Sequence, residues 1–318
     1  MRAQFVALVG ALLLASTAAF AQTAADCPPP AHRPTNEQMR VGIRDARDHG
    51  FLWRISKDGR AAYLYGTLHV ARPEWMYPGP AVTQALKASD TLALELDLFD
   101  PDIQRRVQQG TLRKADAPPL PDALQQRIDH QAAGECLPPG ALATLSPELQ
   151  MITLALLAGR RDGLDPSYGI DIVLSGWGHA QKMTVVSLET PKLQMTLLQA
   201  ATPAARIESV QSALEQLETG RARTQMRRMA QMWADGDLDE LASYEAWCEC
   251  LKTEADRTMM RRLLDDRNPA LADSIAALHA SGKNVFAAVG SLHMSGAAGL
   301  PELMAQRGYT VERIPPRR

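Results

Sequence analysis

The sequence predicts an α/β (α+β) fold, in which a single domain has a central mixed sheet and two large helical insertions. Short runs of β-prone residues occur near both ends of the chain and once in the middle, at 184–188. Mostly helical periodicity covers 101–180 and 190–281. Because no repeat of fixed period is present, the simplest architecture is one sheet assembled from N-terminal and C-terminal strands.

The first residues follow the pattern of a secretory signal peptide, which we predict at 1–21. Arg2 precedes an apolar centre, and small residues lead to an exit after Ala21. We therefore expect a periplasmic or secreted protein, with a loose proline-rich lead-in at 22–45 and a folded domain at 46–318. No later segment approaches the roughly 18 apolar residues of a transmembrane helix, so no span is expected after cleavage. An uncleaved anchor is the alternative.

The composition argues against a nucleic-acid partner and indicates disulfide bonds. The net charge is −2, with no basic stripe or acidic tail, so no nucleic-acid partner is expected. The cysteines Cys27, Cys136, Cys248 and Cys250 are even in number, which predicts disulfides in an exported protein and leaves three connectivities open. A bridge between Cys248 and Cys250 would be strained, so longer-range pairs are favoured.

The elements of the domain are predicted from local patterns. Two β-prone runs around an Asp-Gly turn indicate a hairpin. Short apolar runs bounded by turn residues indicate buried strands, and longer periodic segments indicate helices. In chain order, the elements outside the two helical blocks are strands at 51–55 and 61–65, a helix at 79–89, strands at 91–96, 184–188 and 285–289, a helix ending at 307, and a strand at 309–314.

Four predicted strands end close to a side chain that binds metals or transfers protons: His69, Glu95, Glu189 and His293. In an open α/β sheet, such side chains converge on one crevice. A glutamate within Leu-Ala-Leu-Glu-Leu is costly to bury unpaired, so a cation or a hydrogen-bond network is expected to receive its charge. Two imidazoles with one or two carboxylates suit Mn²⁺, Co²⁺, Zn²⁺ or Fe²⁺. The sequence therefore predicts a divalent metal site with these four residues as ligands.

Both histidines follow a Gly-x-x-His pattern. Gly66 and Gly290 are expected where a strand turns sharply and where a ligand or a second backbone approaches closely. The pattern alone is not decisive, because Gly176 to His179 also matches it inside a helical segment. We interpret His179 as a surface or structural residue. The alternative for each site histidine is also a structural role, and either glutamate has the alternative of capping a helix or pairing with an arginine.

A series of short motifs runs along the chain from about residue 50 to residue 315. The motifs are Tyr-Leu-Tyr-Gly-Thr-Leu-His-Val at 63–70, Leu-Glu-Leu-Asp at 94–97, Tyr-Gly-Ile-Asp at 168–171, Val-Ser-Leu-Glu-Thr at 186–190, Trp-Ala-Asp-Gly-Asp at 233–237, Arg-Asn at 267–268 and Val-Gly-Ser-Leu-His at 289–293. In this order they resemble the TraB/PrgY/GumN family, and more closely its GumN-like exported bacterial branch. The family is similar to the Tiki metalloproteases and, more distantly, to erythromycin esterase-like and haem-binding folds (EreA/ChaN-like).

The resemblance implies roles for particular residues. It places metal binding and catalysis at His69, Glu95 and His293. Other matching positions are interpreted as supporting residues, and they are Gly66, Gly290, Asp171, Arg267 and Asn268. Glu189 matches a recurrent position of the bacterial branch. The resemblance assigns no role to the Arg-Asn pair.

Our leading hypothesis is an exported metal-dependent hydrolase, peptidase-like, that acts on a peptide or protein substrate. His69 and His293 would be metal ligands, Glu95 a ligand or general base, and Glu189 a ligand or an orienting residue. One alternative is a non-catalytic protein that binds and sequesters a peptide, haem or metal. Another is an accessory protein of envelope polysaccharide export, in which the histidines have no function.

Overall fold

The computed structural model describes residues 27–251 and 253–317, so the predicted signal peptide lies outside the described residues. Six strands form one sheet in the order β4-β3-β5-β2-β1-β6. They are β1 (Phe51–Lys57), β2 (Arg60–Thr67), β3 (Thr91–Leu94), β4 (Thr184–Ser187), β5 (Val285–Gly290) and β6 (Thr310–Ile314). The predicted mixed α/β architecture is confirmed.

The helices lie mostly between β3 and β4 and between β4 and β5. In chain order they are α1 (Asn36–Arg44), α2 (Pro80–Lys87), α3 (Pro101–Thr111), α4 (Asp122–Gly134), α5 (Pro147–Leu157), α6 (Ile170–Ala180), α7 (Pro191–Leu197), α8 (Pro203–Glu218), α9 (Arg221–Asp235), α10 (Leu238–Ala242), α11 (Tyr244–Trp247), α12 (Glu254–Leu263), α13 (Asn268–Ala280) and α14 (Leu300–Gln306). Short 3₁₀ turns include Ser291–Met294, directly after β5. None of the helices in the described ranges is both long and apolar enough to cross a membrane.

The parallel part of the sheet determines where the site lies. β2, β5, β3 and β4 are parallel neighbours, whereas β1 pairs antiparallel with β2 and with β6. The β1–β2 hairpin turns at Asp58 and Gly59, both with positive φ, as the Asp-Gly signal requires. The four parallel strands therefore end at one edge of the sheet, and each is followed there by a predicted site residue.

Two strands differ from their predicted form. β3 ends at Leu94, so Glu95 lies just beyond the strand and not within it. The pairing with the neighbouring strand nevertheless continues, because the Glu189 N–H donates to the Glu95 carbonyl at 3.1 Å. β4 is predicted to be buried, but it is only half-buried, because it is the edge strand of the sheet.

The two helical insertions pack against each other. α4 and α5 from the first insertion and α8 from the second enclose an apolar cluster that includes Ile128, Leu154 and Leu214. This cluster is separate from the larger core that covers the sheet. The insertions therefore form a helical layer of their own, built from segments on both sides of β4 in the sequence.

The lead-in and the cysteines differ from the prediction. The segment predicted to be loose contains α1, which begins with a capping box between Thr35 and Gln38. Cys27 is bridged to Cys136, a long-range pair of the favoured type. The second bridge joins Cys248 and Cys250, which corrects our expectation. The chain turns at the end of α11 and brings their Cα atoms to 5.1 Å, within the ordinary range for a disulfide.

Candidate active site at the carboxyl edge of the sheet

A cavity of about 290 Å³ lies at the carboxyl ends of the parallel strands. Its polar lining residues are Thr67, His69, Glu95, Asp171, Gln194 and Arg267. His293 and Glu189 are buried at the same edge but do not line the cavity. The structure thus brings the strand-end residues to one place, as the sheet topology predicts.

Arg267 receives the charge of both glutamates. Its Nε donates to Glu189 Oε1 at 2.9 Å, and its Nη2 donates to Glu95 Oε2 at 2.6 Å and also to Glu189 Oε2. The three side chains are largely buried, with exposed fractions of 11% for Arg267, 16% for Glu95 and 4% for Glu189. The arginine alternative for the two glutamates is therefore the arrangement found, and Arg267 is the cation that the buried Glu95 needs.

Further N–H donors complete the environment of Glu95. The Gly290 backbone N–H donates to Glu95 Oε1 at 2.8 Å, and Gln194 Nε2 donates to Glu95 Oε2 at 3.1 Å. Gln194 also donates to Glu189 Oε2 at 2.9 Å. Sequence reasoning did not identify Gln194, because an exposed-type residue in the first turns of a helix carries no signal of this role.

Burial raises the pKa of Glu95, but the positive charges of Arg267 and His69 and the Gly290 N–H outweigh it and hold the pKa below its ordinary value. Arg267 has a raised pKa, because Glu189 and Glu95 outweigh the effect of its own burial. Both groups are therefore ionised across the neutral range. Glu95 is a carboxylate that accepts hydrogen bonds at the cavity wall.

His293 is held as a neutral imidazole. Asn268 Nδ2 donates to the Ala298 carbonyl at 2.8 Å, which directs Asn268 Oδ1 to His293 Nδ1 at 2.5 Å. Because an amide oxygen only accepts, Nδ1 carries the ring proton in this network and Nε2 has the lone pair. Burial lowers the pKa of His293 to about 4. Asn268, which the resemblance left without a role, therefore sets the orientation and tautomer of this histidine.

His69, unlike His293, is exposed and lies beside a carboxylate. Its Nδ1 lies 3.2 Å from Asp171 Oδ2, and its side chain is 60% exposed. The charge of Asp171 raises the pKa of His69 to about 9, and the partial loss of solvent around the ring opposes this shift. His69 is therefore an imidazolium at neutral pH. The crevice combines one charged and one neutral histidine with a charged glutamate–arginine pair.

Other groups approach Gly66 and Gly290 closely, as the sequence suggested, and the chain also turns after Gly290, where β5 ends and a 3₁₀ turn begins. Gly66 lies within β2, where a methyl group would be 3.2 Å from the Cα of Ser291. At Gly290 a methyl group would be 3.3 Å from Glu95 Oε1 and 3.6 Å from His293 Cδ2. The Gly66 carbonyl also accepts the indole N–H of Trp233 at 2.7 Å. These glycines let β2, β5 and Glu95 approach one another closely.

His179, the third histidine in a Gly-x-x-His pattern, lies on α6 and bonds Asp97 through Nε2 at 2.8 Å. Asp97 is buried and also accepts from the Ser175 hydroxyl at 2.7 Å. Neither His179 nor Asp97 lines the cavity. This geometry agrees with our interpretation of His179 as a structural residue.

A sequence model of the TraB/PrgY/gumN family matches residues 51–313, which is most of the chain. The chain belongs to the TraB/PrgY/gumN family. The matched range begins with β1, ends within β6 and contains every residue of the crevice. Neither the comparison with curated proteins nor the comparison with solved structures gave a match.

The side chains of the crevice in this TraB/PrgY/gumN chain can be compared with the ligands that the predicted divalent metal would need. Within 27–251 and 253–317, no three His, Cys, Asp or Glu side chains form a group that would hold a metal ion. Glu95 has both oxygens engaged by N–H donors, and Glu189 is paired with Arg267. As arranged, these residues do not fit a divalent metal, because a guanidinium already supplies the positive charge. The metal itself stays a prediction.

The two histidines are expected to titrate far apart in NMR spectra of protein with ¹⁵N-labelled histidine. His69 should titrate near pH 9 and His293 near pH 4. Asp171→Asn should return the pKa of His69 toward its ordinary value of 6.5, while His293 is unchanged. Because the folded pKa of His69 is raised, its contribution to stability is present below pH 6.5 and is lost as the pH rises through 9. Two overlapping titrations would contradict the geometry.

Proposed function

We propose that this protein is an exported hydrolase of peptide-like bonds, with its reaction in the crevice at the carboxyl edge of the sheet. The observation that supports the proposal is that Glu95, bonded to Arg267, and His69, bonded to Asp171, line the same cavity. Two titratable groups whose pKa values are pushed apart by their surroundings are typical of an acid–base pair. The family resemblance to metalloproteases supports the same class of reaction.

In this proposal Glu95 takes a proton from a water molecule while the water oxygen bonds to the substrate carbonyl carbon. Arg267 stabilises the negative charge that develops on the carbonyl oxygen. One N–H of its Nη1 donates to the Leu263 carbonyl at 2.8 Å, and the second is available to the substrate. His69 gives its proton to the leaving nitrogen as the carbon–nitrogen bond breaks. Asp171 orients His69, and Glu189 holds Arg267 in place.

Glu95→Gln and His69→Gln should each lower kcat/KM by about 10²–10⁴-fold, the usual contribution of a general acid or base. Glu245→Gln and His130→Gln make the same changes at exposed positions of α11 and α4, and both should retain full activity. Activity of the unmodified protein should decline as the pH rises through 9, where His69 loses its proton. The measurement is the release of new amino termini from a pool of unstructured peptides.

The predicted divalent metal is a separate part of the proposal. The family resemblance offers His69, His293 and Glu95 as its ligands, although Glu95 is engaged by Arg267 in the structure. Activity that is lost on chelation and restored by Mn²⁺, Co²⁺, Zn²⁺ or Fe²⁺ would support it. Full activity in protein shown to be free of metal would exclude it and leave the acid–base proposal intact.

The second candidate is a non-catalytic peptide binder, which is favoured by the hydrogen bonds that both Glu95 oxygens already accept from N–H donors. A binder predicts that peptides associate without cleavage, with equal affinity in the Glu95→Gln variant. Haem sequestration is less well supported, because a cavity of about 290 Å³ is at the small end of ligand pockets. A role in polysaccharide export predicts neither peptide cleavage nor peptide binding.

A further inference from the structure

The cavity has an apolar wall that the proposed reaction does not use. The side chains of this wall include Leu96, Leu98, Val107, Met195, Leu198 and Leu263. Leu96 and Leu98 follow β3, and Leu263 is the last residue of α12. Most of this apolar wall therefore comes from the helical insertions, whereas Thr67, His69 and Glu95 of the polar lining come from the ends of strands.

The wall is held in place by close packing of α3 against α7. A methyl group at Gly110 would lie 2.4 Å from the Met195 Cγ, so the two helices are in direct contact there. Gln199 Nε2 also donates to the Gly110 carbonyl at 3.2 Å. Val107 on α3 and Leu198 after α7 are thereby fixed on the cavity surface. An apolar wall of this kind recognises shape more than charge.

The positively charged residues in the polar lining of the cavity, Arg267 and His69, indicate which substrates the cavity would bind. Arg267 is offset by two carboxylates, so it is not an unpaired cation for a substrate carboxylate. His69 is likewise paired with Asp171. A substrate with a free carboxylate close to the scissile amide would therefore gain little binding energy from these cations. An amide in the interior of a peptide is neutral and would leave both ion pairs intact.

We propose that the cavity binds a peptide-like chain through one medium-sized aliphatic side chain, such as leucine or methionine, next to the scissile amide. The volume of about 290 Å³ suits one such side chain with its backbone amide. The inference rests on the proposed function, since it names the substrate class of the same site. Val107 and Leu198 are the residues that determine specificity.

The test measures binding separately from cleavage. Blocked pentapeptides that differ only in a central Leu, Gly, Glu or Phe are titrated against the full protein by calorimetry, and the same mixtures are analysed for cleavage. The Leu peptide should bind at least about tenfold more tightly than the Gly or Glu peptide. Val107→Trp fills the cavity and should abolish this preference, whereas Gln108→Trp, at an exposed position of the same helix, should retain it.

A second variant keeps the inference testable if Val107→Trp does not fold. Leu198→Ala enlarges the cavity and should shift the preference from Leu toward Phe by about tenfold. Equal binding of all four peptides, no binding at all, or a Leu preference that survives Val107→Trp would overturn the inference. Selective binding without cleavage would support the inference and refute the hydrolase. Cleavage without selective binding would support the hydrolase and overturn the inference.

Discussion

Replacement of Arg267 by leucine is expected to lower the free energy of unfolding by about 3–5 kcal/mol at neutral pH, the usual cost of removing one partner from a buried ion pair. Glu95 and Glu189 would remain in the interior without a cation, with exposed fractions of 16% and 4%. Arg267→Lys should show a smaller loss, because an ammonium keeps the charge but not the two-pronged contact with Glu189. Urea unfolding followed by circular dichroism measures both variants.

The stability of the Arg267→Leu variant should decrease less in acid than that of the unmodified protein. In the unmodified protein the pKa of Glu95 is lowered from 4.5, so its stabilising contribution is present above that pH and is lost as the pH falls toward 2. Without Arg267, one of the interactions that lower the pKa of Glu95 is lost while burial still raises it, so the variant should lose less stability as the pH falls toward 2. The difference in the free energy of unfolding between the two proteins should therefore become smaller as the pH is lowered into the acid range.

A matched control removes an exposed ion pair. Arg127 donates to both oxygens of Glu218, with exposed fractions of 38% and 35% for the two side chains. Arg127→Leu should cost at most about 1 kcal/mol. If Arg267→Leu were no more costly than Arg127→Leu at neutral pH, the buried Glu95–Arg267–Glu189 network would not contribute to folding as described.

Removal of the Cys27–Cys136 disulfide is expected to cost about 4–5 kcal/mol, because the bridge closes a large loop in the unfolded chain. The two cysteines are 109 positions apart in sequence. The bridge ties the lead-in to the turn after α4, and two hydrogen bonds of 2.9 and 3.2 Å between His32 and Tyr168 tie it to the 3₁₀ turn before α6. Denaturant unfolding of the Cys27→Ser/Cys136→Ser protein measures the loss.

The second disulfide is the natural comparison. Cys248 and Cys250 are only two positions apart, so the same loop-closure argument gives a loss on the order of 1–2 kcal/mol for the Cys248→Ser/Cys250→Ser protein. Equal losses for the two double variants would show that loop entropy does not govern the effect of these bridges. A larger loss at Cys248 and Cys250 would contradict the expected order.

Much of the fold follows from local patterns in the sequence. The Asp-Gly turn at Asp58 and Gly59 predicts the β1–β2 hairpin, and apolar runs predict the parallel strands, because turn chemistry and side-chain periodicity act over a few residues. The convergence of His69 and His293 is also predictable, since parallel strands end at a common edge. Two strand predictions were wrong because they depend on neighbouring strands: β3 ends before Glu95, and β4 is a half-buried edge strand.

The sequence by itself determined that Glu95 needs a partner, but only the tertiary structure decided which one. Arg267 is 172 positions from Glu95 and 78 from Glu189, and it is one of 34 lysines and arginines in the chain. A buried carboxylate shows in the sequence as a charge within an apolar run, whereas its counterion is any cation that the fold brings near. For the same reason the pairing of Cys248 with Cys250 depended on the path of the chain after α11, since a disulfide requires a distance between Cα atoms that sequence spacing does not define.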